Sequence, residues 1–396
     1  MKLVKICVLL VMAGANDRTN TPVKVFLTVP SALSKTAAVT LKDEKGTALV
    51  GQLTKPGLLV GPWTETKDQV ARELHFLLPS LKKGATATFT VTAADPTKIG
   101  DAFKWNDTAG KYNELSHGKR PVLRYMYEAL DPNRRGATYK IFHHLYDPTG
   151  SKIVTKGPGG RYTHHRGLFF GFSRIRYEGA KRVDIWHCSG DTYQSHEGFV
   201  RSDEGPVIGR HLVNVDWHGV GKKVFAKEQR EMSVYSLPGG TLVEFASRLS
   251  TAIGGPVKLD GDPQHAGFQF RASNEVAAMT SAQTYYLRPD GKGKLRETRN
   301  WPGAKTHVNL PWNAMSFVLG EQRYTTAYID HPNNPKEARY SERDYGRFGS
   351  YFVYTIDEKK PLLANYRIWH QEGEMTVGQV SALSIDFTEP VKVKVK

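Results

Sequence analysis

The main constraint on this chain is a long succession of short β-type runs that turn residues interrupt. Residues 242–249 (LVEFASRL) alternate between apolar and polar side chains, so one face of that strand is buried and the other is wet. Leu-Pro-Gly-Gly at 237–240 joins this run to residues 224–235 and is a strong hairpin signal. No long segment carries a helical period. We therefore predict an all-β fold whose main body is a large antiparallel β-sandwich.

Strand spacing divides the chain into a small part and a large one. Short β-rich runs at close spacing predict a small immunoglobulin-like β-sandwich module over residues 20–95, for which packing or binding is the default role. Residues 96–118 read as a linker. Longer strands from residue 119 predict a large β-sandwich domain over 119–396 that carries the functional site.

The N-terminus has the pattern of a secretory signal peptide over residues 1–15. Lys2 and Lys5 form a basic region, residues 6–12 a short apolar core, and Ala13-Gly14-Ala15 a cleavage-type sequence. We predict cleavage near Ala15 and a periplasmic or secreted mature protein. The alternative is an N-terminal β-strand. Cleavage would leave Cys188 as the one remaining cysteine, so no disulfide within the mature chain is expected.

The charge of the chain bears on its partners. With 55 Lys and Arg against 39 Asp and Glu, the formal net charge is +16. This excess favours anionic partners, and acidic polysaccharides are the expected class for an exported protein. The alternative is a solvated surface that serves solubility. The basic residues are scattered and match no nucleic-acid-binding motif, so nucleic acid is not expected as a partner. No apolar run is long enough to span a membrane, so we expect no membrane insertion.

Chemistry-bearing residues concentrate in residues 162–198 (YTHHRGLFFGFSRIRYEGAKRVDIWHCSGDTYQSHEG). This stretch holds four of the chain's 14 histidines, together with several charged residues between apolar runs. If residues 163–172 form one strand, His164 and His165 point to opposite faces, and only one reaches a cleft unless a bend redirects the pair.

Three downstream segments place further polar groups beside apolar strands. Asn214, Asp216 and His218 are spaced by two and share one strand face. The segment 262–271 (DPQHAGFQFR) places His265 before a strand and Arg271 near its end. The segment 330–334 (DHPNN) follows an apolar run, and its prolines make a rigid mount for a general acid or base.

Several of these motifs resemble an uncharacterised bacterial family that is often labelled PmoA, after a methane oxygenase subunit. The resemblance rests on YTHHRGLFFGF, DIWH, AYIDHPNNPKEARYSERDYGRFGSYF and LLANYRIWHQEG, and covers residues 120–396. It implies an exported β-sandwich protein of polysaccharide-degrading bacteria and hence carbohydrate chemistry. A methane monooxygenase subunit would need membrane-spanning helices, so we do not expect that activity.

The first hypothesis is a carbohydrate-active enzyme, either a glycoside hydrolase, a lyase or a sugar epimerase, that transfers protons with histidine and carboxylate groups. The candidate catalytic residues are His164, His165, Asp184, Glu197, His265, Asp330 and His331. The candidate substrate-binding residues are Arg166, Trp186, Trp217, Arg271 and Asn334, the two tryptophans by stacking on a sugar ring and the arginines as clamps.

Two alternatives stay open. The chain offers more imidazoles than structure requires, so a divalent ion such as Zn, Ni, Fe or Mn is an alternative centre that could assist the same chemistry. The histidines considered for it are His164, His165, His187, His196, His218 and His331. The other alternative is a non-catalytic glycan-binding or structural β-sandwich, against which the number of titratable groups argues.

Overall fold

The computed structural model describes residues 5–31, 38–93 and 100–396. Residues 1–4, with Lys2 of the predicted signal peptide, and residues 94–99, where the predicted module ends and the predicted linker begins, lie outside this description. Within it the chain forms four sheets that contain antiparallel strand pairs throughout, and helices are few and short. The predicted all-β fold is confirmed.

The N-terminal sheet has seven strands in the spatial order β2-β5-β4-β3-β6-β1-β28. Its strands are β1 Lys5–Met12, β2 Arg18–Pro30, β3 Ala38–Asp43, β4 Ala48–Thr54, β5 Gln69–Leu81, β6 Thr86–Ala93 and β28 Lys392–Val395. Alternate residues of these strands, among them Val25, Leu74 and Val91, are buried in a separate hydrophobic core. The last strand of the chain therefore completes the sheet that the first strands begin.

The segment predicted to be a signal peptide has a structural position in this sheet. Strand β1 pairs with β6 on one side and β28 on the other, and Leu9 and Val11 are fully buried. This arrangement matches the alternative to a signal peptide, in which the N-terminal segment is a β-strand. Cleavage near Ala15 stays a prediction.

An eight-stranded sheet follows, in the order β24-β25-β19-β11-β10-β9-β8-β7. Its strands are β7 Phe103–Thr108, β8 Tyr112–His117, β9 Arg120–Met126, β10 Phe142–Leu145, β11 Leu168–Phe172, β19 Ala266–Arg271, β24 Arg339–Arg343 and β25 Arg347–Tyr351. Strands β7 and β8 lie within the segment that the sequence suggested as a linker. These strands contain many polar residues, so the alternation of apolar and polar side chains that buries Phe103 and Leu115 is weak in the sequence.

A nine-stranded sheet lies opposite, in the order β14-β15-β16-β17-β27-β23-β22-β20-β21. Its strands are β14 Tyr193–Asp203, β15 Ile208–His218, β16 Val224–Leu237, β17 Gly240–Thr251, β20 Tyr285–Arg288, β21 Gly291–Lys292, β22 Trp312–Leu319, β23 Gln322–Asp330 and β27 Leu362–Glu372. A small sheet in the order β13-β12-β18-β26 comprises β12 Ile175–Tyr177, β13 Ala180–Val183, β18 Val257–Leu259 and β26 Tyr354–Ile356.

The two large sheets pack face to face as a β-sandwich. Phe170 of the eight-stranded sheet lies 5.9 Å from Trp217 and 5.5 Å from Phe245 of the nine-stranded sheet, measured between ring centroids. Phe245 also stacks on Phe268 at 4.3 Å. Residues of alternate register therefore fill one core, and their neighbours in sequence face outward.

The two α-helices are α1 Arg135–Thr138 and α2 Val377–Thr388. The sequence interpretation placed a strand at 382–387, and this was wrong. Thr376 and Gln379 form a capping box that starts α2, and Val380, Ser384 and Phe387 are buried at helical spacing. In the described residues, none of the helices combines the length and apolar character needed to cross a membrane.

Glycines leave the outer face of the β11–β19 pair without large side chains at one position. Gly171 is paired with Gly267, whose φ of 78° is the left-handed region that glycine tolerates best. A Cβ atom on Gly171 would lie 3.3 Å from Cγ2 of Ile185, which belongs to the loop after β13. Loops can consequently pack directly on this face, opposite the sandwich core.

Buried histidines should make the fold sensitive to acid. Burial lowers the pKa of His75, His144, His211 and His370 from 6.5 to about 3. Such a group contributes stability above the unfolded pKa, and this is lost as pH falls from 6.5 towards 3, at about 1.4 kcal/mol per pH unit for each histidine. We expect the urea midpoint of unfolding to fall steeply between pH 7 and pH 5.

The variant His370→Gln is the matched control, because it removes one titrating group from a fully buried site. Its free energy of unfolding should depend on pH less steeply than that of the wild type, by about 1.4 kcal/mol per pH unit below pH 6.5. Equal slopes for the two proteins would contradict this assignment.

Candidate metal centre

Three loops meet on the outer face of the β11–β19 pair. They are residues 161–167 before β11, residues 184–188 after β13 and residues 260–265 before β19. Backbone hydrogen bonds attach them to the sheets: the N–H of Ile185 donates to the Phe172 carbonyl at 3.0 Å, and that of Arg174 donates to the Asp260 carbonyl at 3.0 Å. Sequence-distant histidines are thereby brought together.

His164, His165 and His265 form the centre of this region. One ring nitrogen of each lies within 4.8 Å of the other two. The ring centroids of His164 and His165 are 4.3 Å apart, and His265 lies 5.3 Å and 5.9 Å from them respectively. We call these three residues the histidine triad. His165 is buried at its base, whereas His164 and His265 are partly open to solvent.

A turn of the form Asp-x-x-His orients two histidines of the region. In the first, the Nδ1–H of His187 donates to Asp184 at 2.8 Å, and in the second the Nδ1–H of His265 donates to Asp262 at 2.9 Å. A carboxylate only accepts hydrogen bonds, so Nδ1 carries a proton in both rings and Nε2 is the nitrogen that is left to contact a ligand. Carboxylates hold metal-binding histidines in this way.

His187 adjoins the triad without being a member of it. Its ring lies 4.4 Å from that of His164 and 4.7 Å from that of His265, and its side chain is 35% exposed. Hydrogen bonds from the His187 backbone and side chain hold the pKa of Asp184 below its usual value, although burial opposes this. The Asp184–His187 pair is therefore a carboxylate-oriented imidazole beside the triad.

Aromatic rings enclose His165. It stacks on Tyr162 at 5.5 Å and on Tyr345 at 6.1 Å, and Trp186 approaches it edge-on at 6.4 Å. Tyr162 and Cys188, in two of the three loops, have φ values of 56° and 54°, which are unfavourable for residues with a side chain. Such conformations concentrate at functional sites, where surrounding contacts hold them.

The electrostatics of the site favour the neutral forms of His164 and His165. Burial, with the nearby charge of Lys140, lowers the pKa of His164 to about 3, and burial together with Arg347 holds the pKa of His165 far below its ordinary value. Neither ring nitrogen of His165, nor Nε2 of His164, has a hydrogen-bond partner among the described residues. These neutral imidazoles therefore have free nitrogens near pH 7.

Lys140 is hydrogen-bonded to the backbone of two of the loops. Its Nζ donates to the carbonyl oxygens of His164 and Trp186 and lies 4.4 Å from the centre of the Phe169 ring. Burial lowers the pKa of this lysine to about 7. The contact fixes the backbone beneath His164 relative to the turn that carries His187.

The arrangement suits a divalent transition-metal ion. Zinc binds imidazole nitrogen at about 2.0–2.1 Å, so the nitrogens of a tetrahedral site lie roughly 3.3 Å apart. The triad nitrogens lie within 4.8 Å of one another, so an ion would draw them closer together. Three histidines with an open fourth position form a catalytic rather than a structural type of zinc site. His164, His165 and His265 are the residues that would hold the ion.

The structure brings together five of the residues predicted from sequence: His164, His165, His265, Asp184 and Trp186. Strand β11 begins at Leu168, so residues 163–167 are a bend and not part of the strand. This is why His164 and His165 reach the same site and do not point to opposite faces. Trp186 is buried beside His165, with its Nε1 unpartnered among the described residues.

Four predicted substrate-binding residues have hydrogen-bond partners within the protein. Arg166 donates to the carbonyls of Thr163 and His165, and Arg271 donates to those of Ala272 and Tyr345. The Asn334 amide donates to the Asn365 carbonyl and accepts from its N–H.

The fourth residue, Trp217, was predicted to stack on a sugar, and this was wrong. It is a core residue with no exposed surface, and its Nε1–H donates to Glu228 at 2.9 Å.

Other candidates lie in different surroundings. Glu197 is exposed on β14 and lines an open groove with Asn214 and Asp216. Asp330 is buried, which raises its pKa to about 6, and it accepts a hydrogen bond from Asn334 at 2.6 Å. His331 packs edge-on against Phe387 of α2.

Two histidines considered as metal ligands likewise have their own partners. His196 accepts or donates at 3.0 Å to the hydroxyl of Tyr125, and His218 stacks on Tyr193 at 4.0 Å.

Sequence reasoning missed the pairing of His187 with Asp184. The signal was present, because Asp184-Ile-Trp-His187 and Asp262-Pro-Gln-His265 share one spacing. Lys140 gave no comparable signal, since only the fold buries it beneath the loops.

Comparison with protein families matches the greater part of the chain to one family. The sequence model of a family described as "Family of unknown function (DUF6807)" matches residues 113–384. No curated protein shows significant sequence similarity to the chain.

Two solved structures align with 99% of this chain. They are a protein in glycosyl hydrolase family 38 from Enterococcus faecalis, with 9% identity and a TM-score of 0.43, and an alpha-mannosidase from Enterococcus faecalis V583, with 8% identity and a TM-score of 0.41. The chain spans about half the length of each, 47% and 46%.

The carboxylates that orient the histidines should control metal affinity. We expect Asp262→Asn to weaken zinc binding about 10–100-fold, because the amide no longer fixes the His265 ring as a metal ligand. Asp260→Asn is the matched control on the same loop, since its carboxylate accepts from the backbone of Gly261 and from no histidine. Isothermal titration with zinc would measure both. Equal affinities for the two variants would refute the role given to Asp262.

Proposed function

The chain belongs to DUF6807, a family of unknown function, and we propose that it is a carbohydrate-active enzyme whose histidine triad holds a divalent transition-metal ion. The observation that carries the proposal is the convergence of three imidazole nitrogens within 4.8 Å. The two Asp-x-x-His hydrogen bonds, at 2.8 and 2.9 Å, support it.

The proposed roles follow from position. His164, His165 and His265 bind the ion, and Asp262 orients His265. When bound, the metal supplies a Lewis acid for a sugar oxygen or for water. His187 borders this position and is the general acid or base, because its Nδ1–H is held by Asp184 and its Nε2 is free to exchange a proton. Unpartnered ring nitrogens on His164 and His165 are available to the ion.

Carbohydrate as substrate is supported by the resemblance of the sequence motifs to the family labelled PmoA. The same resemblance and the N-terminal pattern support export to the periplasm or beyond. The bond attacked is a glycosidic bond or a C–H bond beside it, which includes hydrolase, lyase and epimerase chemistry.

Removing a proposed metal ligand and removing the proposed general acid or base should have different effects on metal content and turnover. We expect His165→Ala to lose both bound metal and turnover, whereas His187→Ala keeps about one equivalent of metal and loses roughly 10²–10⁴-fold in kcat. Elemental analysis and a reducing-end assay on a polysaccharide panel, with zinc, manganese, nickel or iron added, would measure the two properties.

His331→Ala is the control for these variants, because the His331 ring packs against Phe387 of α2 and not against the triad. It should retain metal and turnover. A folded wild-type protein that binds glycan but shows no turnover with any of these metals would indicate a glycan-binding protein and would overturn the enzymatic proposal.

A further inference from the structure

The buried arginines of this chain fall into two groups. Outside the site, each one has a carboxylate partner within 4.0 Å. These arginines are Arg18, Arg72, Arg210, Arg230, Arg288 and Arg367, paired with Asp386, Glu65, Glu73, Glu228, Glu342 and Glu244. A buried charge is costly unless it is paired, so these ion pairs are what a stable fold requires.

The second group behaves differently. Arg166, Arg271 and Arg347 are 2%, 1% and 0% exposed, yet none of them forms an ion pair with any carboxylate of the described residues. The two buried lysines, Lys140 and Lys156, are likewise without a carboxylate partner in that part of the chain. Their donors reach neutral acceptors, which are backbone carbonyls and, for Arg347, also the side chains of Gln269 and Ser341. The charge of the three arginines is therefore not compensated by a carboxylate.

Arg166, Arg271, Arg347 and Lys140 contact the loops and rings of the histidine triad. Arg166 donates to the His165 carbonyl at 2.8 Å, and Lys140 donates to the His164 carbonyl. Arg347 donates to the carbonyl of Pro263, two residues before His265, at 3.3 Å. The guanidinium carbon of Arg271 lies 4.9 Å from the centre of the Tyr345 ring, which stacks on His165. Lys156 is joined to Arg271 through a backbone hydrogen bond of 3.0 Å.

Part of the donor capacity at this place is unused. Nε and Nη2 of Arg271 and Nε of Arg347 have no hydrogen-bond partner in the described residues, although both side chains are fully buried. Buried donors are normally satisfied, and a bound ion or ligand is one way in which such an exception is completed. Guanidinium groups prefer the oxygen atoms of carboxylates, sulfates and phosphates.

We infer that the centre takes an oxyanion of its substrate, so that the sugar it acts on is acidic: a uronic acid or a sulfated sugar. The inference rests on the proposed function and extends it. A divalent ion held by the three histidines would add further positive charge to the same place. An anionic ligand at the centre balances the ion and the unpaired arginines together, so metal and anion should strengthen each other's binding.

The experiment is a zinc titration of the wild-type protein alone and with one of three probes that share the glucose ring: D-glucuronate, D-glucose 6-sulfate and D-glucose. We expect D-glucuronate or D-glucose 6-sulfate to raise zinc affinity at least tenfold, and D-glucose to leave it unchanged. By linkage, the effective probe should bind the zinc-loaded protein more tightly than the metal-free protein by the same factor. Whichever anion is effective identifies a carboxylate or a sulfate as the group recognised.

Variants locate the effect. Arg271→Gln and Arg347→Gln should retain zinc binding and lose the coupling to the anion, whereas Lys227→Gln, which changes an exposed lysine in the groove lined by Glu197, should keep both. If the arginine variants do not fold, the comparison of charged and neutral probes on the wild type still decides the question.

The outcomes separate this inference from the proposed function. Zinc binding with no difference among the three probes would overturn the acidic-substrate inference and leave the metal centre intact. Anion binding without zinc binding would overturn the metal centre and leave an anion site. Coupling that persists in both arginine variants would contradict the role given to the buried cations.

Discussion

The hydrogen bond from a histidine Nδ1–H to the carboxylate three residues before it is the interaction on which the site depends. It occurs at His187 and at His265, in two turns that different parts of the fold supply. In each, the carboxylate holds the Nδ1 side and the direction of the ring, which leaves Nε2 to contact a ligand. Without these bonds the loops could still meet on the sheet, but their imidazoles would have no fixed direction.

The rest of the molecule serves to bring those turns together. Glycine residues on the outer face of the β11–β19 pair allow the loops to approach the backbone, and Lys140 joins the loop of His164 to the turn of His187. The stability of the fold comes from elsewhere, from the core between the two large sheets and from buried arginines that are paired with carboxylates. The site instead keeps buried charge unpaired, which is a common cost of a binding function.

The sequence predicted the all-β class, because alternation along strands such as β17 is a local property of neighbouring residues. It did not predict that β28 lies beside β1, since nothing in Lys392–Val395 specifies a partner nearly four hundred residues away. The polar strands β7 and β8 and the helix α2 were misread for local reasons: polar residues concealed the alternation of the strands, and a short apolar run resembled a strand although a capping box preceded it.

For the site, the sequence indicated the histidine-rich stretch and His265 separately. Their meeting depends on the pairing of β11 with β19, between residues about a hundred positions apart, and on the bend that ends before Leu168. The lack of a carboxylate partner for Arg271 and Arg347 in the described residues depends on the fold, so the sequence could not predict it. Trp217 illustrates the reverse case, an aromatic residue that resembled a sugar platform and belongs to the core.

The most direct test of the central claim is a crystal structure of the protein equilibrated with zinc, with anomalous diffraction recorded at the zinc absorption edge. If the histidine triad binds zinc, one strong anomalous peak should lie about 2.0–2.1 Å from a ring nitrogen of each of His164, His165 and His265. A folded protein whose triad shows no peak at saturating zinc, or whose peak lies on other residues, would contradict it.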